Sequence, residues 1–250
     1  SLARTVQNIE EKGGEAYGVA CDISQVSECF RLVEEAQHAF GTVDILVNNA
    51  ALTYYLTIDK LTENRWTKCF EINVHAPLFL SKALLPSMIE QGGGRILNIS
   101  SGSAIGPGRG PYDDVPARGD TMYGATKAAL ERMTQGLAKE VAHRGTISVA
   151  ALSPSVIVAT PGTVHHKLVT GYDDPRSENA DMMAQGALLL AFKYPALFSS
   201  AIGMAPGLCT GEELLVRQTL TLSLLPLSLA AAAVPLSLPS SPRVRPESFS

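Results

Sequence analysis

Arg95-Ile96-Leu97-Asn98-Ile99-Ser100-Ser101, followed after a Gly- and Pro-rich stretch by Met122-Tyr123-Gly124-Ala125-Thr126-Lys127, decides the fold. Arg95 to Ile99 is a strand of the type covered on both faces in a parallel sheet, and two serines stand at its end. Tyr123 and Lys127 are four apart, and apolar Ala128, Leu130, Met133, Leu137, Ala138 and Val141 continue at close to helical spacing. On a helix, Tyr123 and Lys127 share one face. The stretch therefore predicts a strand, a hydroxyl-bearing turn and a helix carrying a phenol and an amine.

The same unit recurs on either side. Val43 to Val47 is a second continuous apolar run and empties into Asn48-Asn49-Ala50-Ala51. Thr62 to Glu90 carries a long helical pattern, with Asn73 inside it and Pro77 and Pro86 as points of kinking or splitting. Gly92-Gly93-Gly94 makes the turn into the central strand. Upstream, Leu2 to Lys12 predicts a helix stopped by Gly13-Gly14; Ala16 to Cys21 a strand; Asp22-Ile23-Ser24 a loop; and Val26 to Phe40 a helix ended by Gly41. Downstream, Thr146 to Leu152 predicts a strand leading into Ser153 to Thr160, then a mobile substrate loop, then a helix near 179–192. Strands alternating with helices predict an α/β, doubly wound parallel sheet of Rossmann-like type, whose ligands sit beyond the carboxyl ends of the strands.

The 250 residues are 46% hydrophobic, enough for a sizeable core, and carry a net charge of −4 without a long basic run. That gives no electrostatic footprint for nucleic acid or an anionic membrane and points to a small-molecule partner. Cys21, Cys29, Cys69 and Cys209 are scattered, with no CxxC pair, and beyond adjacent His165-His166 no cluster has ligand spacing. We therefore expect reduced thiols, no metal site and a cytoplasmic location. The expected domain covers 1–213. Residues 214–250 form a tail rich in Leu, Ser, Ala and Pro, uncharged between Arg217 and Arg243. The uncharged run reaches about the 20-residue span of a bilayer core, but its prolines and serines favour a low-complexity tail over a membrane helix.

Free tyrosine has a pKa of about 10, so at pH 7 roughly one molecule in a thousand is phenolate. An ammonium one helical turn away can lower it by about 1 to 3 units. Tyr123 with Lys127 thus makes a general acid/base pair. Ser101 is placed to hydrogen-bond a carbonyl or hydroxyl, an arrangement suited to carbonyl/alcohol interconversion with hydride transfer from a cofactor. Alone, a tyrosine and a lysine four apart read better as a surface pair than as a catalytic one; the context reverses that reading.

With the Asp22-Ile23 loop, Asn48-Asn49-Ala50, Asn73 and the Leu152-Ser153-Pro154 turn, the chain from about 2 to 213 resembles the short-chain dehydrogenase/reductase family. The resemblance implies Tyr123 as acid/base, Lys127 as the residue tuning it and holding the nicotinamide ribose, and Ser101 as the substrate-orienting serine, with Ser100 and Ser103 as rivals. Asn73 resembles the asparagine whose backbone holds a relay water; capping a kink before Pro77 is its structural alternative. Asp22 resembles the adenine-binding carboxylate, with Ile23 against the ring and Asn48, Asn49 and Ala50 beneath the adenosine. Pro154, Ile157 and Thr160 fall in the segment that contacts the nicotinamide. The family further implies NAD or NADP, a small alcohol or ketone substrate, and a homo-oligomer.

Three departures accompany the resemblance. Ala51 and Ser155 stand where the family has glycine, adding side chains where backbone approaches the ligand, so a weakened or shifted cofactor fit is expected. The family's opening strand and TGxxxGxG turn are not in the sequence, and Gly106 to Gly110 follows the wrong element to replace them. In the order 3-2-1-4-5-6 the absent strands would lie between Ala16–Cys21 and Val43–Val47, so a longer natural protein or a degenerate product is expected. The alternative to an enzyme is a catalytically silent relative serving as a binding or oligomerisation module.

Overall fold

The computed structural model describes residues 2–112, 119–193 and 202–204. Helix α1 (Leu2–Glu10) precedes α2 (Val26–Phe40), β1 (Ile45–Asn48), α3 (Glu63–Phe70), α4 (Ala76–Glu90), β2 (Gly93–Ile99), α5 (Thr121–Val141), β3 (Thr146–Ser153), β4 (Ile157–Val158), α6 (Pro161–His165), β5 (Ser177–Glu178), α7 (Ala180–Leu188) and β6 (Ile202–Met204). Strands β1, β2, β3 and β6 pair in that order, all parallel. Val47 lies opposite Leu97, and Leu97 opposite Ala150, so the polar continuations of the strands emerge along one edge.

Alternation along the strands builds two cores. Leu46, Ile96 and Val149 face Leu32 and Val33 of α2, Leu80, Leu84 and Met88 of α4, and Ala138 and Val141 of α5. Leu97, Ala150 and Leu152 face Met183 and Ala187 of α7 on the other side. Helices on both faces of a parallel sheet make the doubly wound architecture predicted from the apolar runs.

Ala16 to Cys21 corrects the predicted strand: it forms no ladder among the described residues. A strand exists only where a neighbour accepts its backbone hydrogen bonds, and the outer edge of β1 has no described strand beside it. The apolar pattern is still used, since Val19 and Cys21 pack against the core under α2 and α4, and Arg31 Nη2 donates to the Ala20 carbonyl at 2.8 Å. The long Thr62 to Glu90 pattern is helical throughout but changes winding once, in a π segment at Glu71–His75 just before Pro77. Proline lacks an N–H and crowds the carbonyl four residues back, here that of Asn73, and the wider π turn accommodates both. Pro86 lies inside α4 without splitting it.

The expected mobile loop after Thr160 is instead organised. Thr160 caps α6 in a reciprocal box with Thr163, and β4 pairs with β5. Buried Asp174 accepts hydrogen bonds from the Thr170 N–H at 2.8 Å and from Arg176 Nη2 at 2.7 Å. Of the four cysteines, Cys21, Cys29 and Cys69 are free thiols, while Cys209 and the tail at 214–250 fall outside the described residues. No helix among the described residues is long and apolar enough to cross a membrane.

Candidate active site

Residues at the carboxyl end of β2 meet the first turns of α5. Lys127 is 2% exposed, and its Nζ donates to the Ile99 carbonyl at 2.7 Å. The same ammonium lies 5.5 Å from the centroid of the Tyr123 ring. Ser101 begins a short 3-10 turn, its Oγ accepting from the Ser103 N–H at 3.2 Å, and its hydroxyl is a hydrogen-bond partner of the Tyr123 phenol. Gly124 permits this approach: a Cβ there would sit 2.7 Å from the Ser103 carbonyl oxygen.

The expected depression of the Tyr123 pKa is not what this geometry produces. Burial pushes the phenol up, and Tyr55 and Cys69 push the same way against the Ser101 hydrogen bond. Lys127 is itself lowered by burial to about 8, with the Glu131 carboxylate opposing the shift. The outcome is a protonated phenol beside an ammonium near its titration point, an arrangement that holds a proton ready to donate.

Asn73, 1% exposed in the π segment, faces this helix. Its Oδ1 accepts from the Leu52 N–H at 2.7 Å, and its Nδ2 donates to the Leu52 carbonyl at 2.8 Å and to Thr126 Oγ1 at 3.0 Å. The side chain thus ties the loop after β1 to α5. Further along the same loop, Tyr55 packs with its ring centroid 6.5 Å from that of Tyr123 and 5.1 Å from that of His166.

The other sequence-predicted residues line the same edge of the sheet in two groups. Asp22 is exposed, and its Oδ1 accepts from the Ser24 N–H and hydroxyl, which hold its carboxyl below the usual range; Lys68 lies 3.6 Å away. Ile23, Asn49 and Ala50 are half-buried, and Ile23 lines one hollow with Asn48, Asn49 and Ala50. Asn48 itself turns inward, its Nδ2 donating to Asn98 Oδ1 at 2.8 Å. Pro154, Ile157 and Thr160 follow β3, half-buried, with the Thr160 hydroxyl engaged by the Thr163 N–H. Of the two serines that rival Ser101, Ser100 is 4% exposed and donates to Glu131 Oε1 at 2.5 Å, whereas Ser103 is half-buried. No metal-binding group of His, Cys, Asp or Glu occurs among the described residues.

Sequence reasoning missed the polar layer beneath the site. Asn98 Nδ2 donates to Thr134 Oγ1 at 2.8 Å, Ser100 reaches Glu131, and Lys127 reaches Ile99, so three successive residues of β2 and its extension are tied to three turns of α5. The signal was present as spacing: Lys127, Glu131 and Thr134 recur at four and three, on one helical face.

A family model described as short chain dehydrogenase matches residues 1–167. Human dehydrogenase/reductase SDR family member 4 is 34% identical over 158 residues, 63% of this chain and 53% of that protein. A short chain dehydrogenase of Pseudocercospora fijiensis is 32% identical over 184 residues, 73% of this chain and 56% of that protein. L-Sorbose reductase from Gluconobacter frateurii, complexed with NADPH and L-sorbose, is similar with a TM-score of 0.67 at 26% identity, covering 81% of this chain and 79% of that one. The chain spans about half the length of the curated relatives it matches.

Proposed function

The chain belongs to the short-chain dehydrogenase family, and on that premise we propose that it serves an NAD(P)-dependent oxidoreductase interconverting a secondary alcohol and a ketone. The observation that most supports this is the convergence of Ser101, Tyr123 and Lys127 at the carboxyl end of β2, where a doubly wound sheet receives its ligands. Similar structures complexed with NADP or NADPH support the cofactor class.

The residues present fit the two ends of such a cofactor. Asp22 offers an exposed acceptor beside apolar Ile23, suited to an aminated heteroaromatic ring, and Asn49 and Ala50 continue that surface. Lys127 has an ammonium with hydrogens to spare beyond its bond to Ile99, suited to ribose hydroxyls. The described residues include no glycine-rich turn from a strand to a helix N-terminus that would seat a pyrophosphate. When bound, the nicotinamide supplies or accepts the hydride.

In the reductive direction Tyr123 gives its proton at the phenolic oxygen to the carbonyl oxygen as negative charge develops there. Ser101 holds that oxygen through its hydroxyl. Lys127 stabilises the phenolate left behind, an electrostatic role that a water-poor site strengthens. Asn73 keeps the Leu52 loop and the Tyr123 helix in register. Ala51 and Ser155 favour the competing reading of a catalytically silent binding module, since each puts a side chain where glycine in the family lets the protein backbone approach its ligand closely. Titration with NADH and NADPH, followed by reduction of a panel of ketones monitored through the reduced nicotinamide's absorbance, tests the proposal. Saturable cofactor binding with turnover is expected; a folded protein that binds neither nucleotide would overturn it.

A further inference from the structure

Glu131 is a buried carboxylate with no part in the chemistry above. It is 7% exposed, lies one helical turn beyond Lys127, and receives the Ser100 hydroxyl at 2.5 Å. Ser100 is fixed in turn, its N–H donating to the Leu152 carbonyl of β3 at 2.7 Å. The Glu131 side chain is therefore anchored to the sheet on the side from which Lys127 reaches Ile99.

Carboxylates are rarely buried without a compensating partner, because removal from water costs several kcal/mol per ion. One hydroxyl is a modest partner for a full charge. Lys127 is the buried cation within a helical turn, and its own burial is equally costly without an anion. The groups that face Lys127 are Tyr123 and Glu131 from α5 and the Ile99 carbonyl from β2, with Cys69 of α3 and Tyr55 of the loop after β1 acting on Tyr123 behind them. Glu131 is the carboxylate among these. We propose that Glu131 is a positioning residue whose buried charge, locked in place by Ser100, keeps Lys127 in its ammonium form beside Tyr123. The assignment rests on Tyr123 and Lys127 forming the site. Burial already brings Lys127 down to about 8, where the loss of one neighbouring charge would leave a substantial neutral fraction at pH 7.

The test reads Lys127 directly and needs no turnover. In protein carrying carbon-13 at the lysine ε position, the Lys127 resonance, assigned by its absence in Lys127→Met, is followed through a pH titration. Glu131→Gln should lower its midpoint by about 1 unit, a tenfold change in proton affinity, whereas Glu131→Asp should restore most of the shift. A Lys127 midpoint that is the same in wild type and in folded Glu131→Gln would overturn the proposal. Should Glu131→Gln not fold, Lys127→Met and Lys127→Met/Glu131→Gln decide the matter. With the cation gone the carboxylate has lost its partner, so the double variant should melt higher than the single one, and an equal or lower Tm would overturn the proposal. A shifted midpoint in a protein that never turns over a ketone would keep this inference and defeat the enzymatic proposal, and an unshifted midpoint in an active protein would do the reverse.

Discussion

Replacing Asn73 by alanine should destabilise the fold by an amount set by one orphaned group. The side chain makes three hydrogen bonds, yet two of the partners have others: Thr126 Oγ1 still donates to the Tyr123 carbonyl at 2.8 Å, and the Leu52 carbonyl still accepts from Cys69 Sγ at 3.4 Å. Among the bonds lost, the Leu52 N–H alone is left without its acceptor, a cost of about 1 to 3 kcal/mol, and the void left by a fully buried side chain adds to it. A total of roughly 2 to 4 kcal/mol corresponds to a fall in Tm of roughly 5 to 15 °C for a domain of this size. Urea unfolding and calorimetry of the variant beside wild type provide the assay. Asn73→Asp refines it, because the new carboxylate keeps the acceptor for Leu52 N–H but brings a buried charge opposite the Leu52 carbonyl. Its folded-state pKa should be raised, so the folded protein binds the extra proton and the variant should regain stability as pH falls toward about 4. An Asn73→Ala protein within about 0.5 kcal/mol of wild type would refute the clamp, since changes of that size are typical of surface positions.

Gly124→Ala should cost about 1 to 3 kcal/mol, because the new Cβ would meet the Ser103 carbonyl oxygen at 2.7 Å and push the Ser101 turn from Tyr123; unfolding data at wild-type level would contradict this. Lys127 ordinarily titrates at 10.5 and here at about 8, so across that window the unfolded chain holds more protons than the folded one and stability should rise with pH, by up to about 1.4 kcal/mol per unit. Above the ordinary tyrosine pKa the raised Tyr123 acts in the opposite sense, so the wild-type curve should turn over, and Lys127→Met should lack the rising limb.

Strands β1, β2 and β3 were legible because each is an apolar run bounded by turn residues, and a run of that length has few other uses in a doubly wound protein. Ala16 to Cys21 carries the same signal and forms no strand, because pairing depends on a neighbour that a local pattern cannot supply. That Tyr123, Lys127 and Ser101 come together was legible through their order at strand ends, whereas the direction of the Tyr123 shift was not. Spacing brings an ammonium near a phenol, but only packing reveals that both are removed from water. Glu131 and Thr134 would pass in sequence for a solvated helix face and lie instead against the sheet. Asp174 organises a loop expected to be mobile, through hydrogen bonds from a threonine four residues before it and an arginine two residues after it.

The proton-donating role of Tyr123 in a nicotinamide-dependent reaction is tested by ketone turnover of Tyr123→Phe, measured beside binding of NADH and NADPH to the same variant. Turnover should fall by about 100-fold to 10,000-fold, the range for loss of a positioned acid, while nucleotide affinity changes little. Turnover in Tyr123→Phe equal to that of wild type would contradict it.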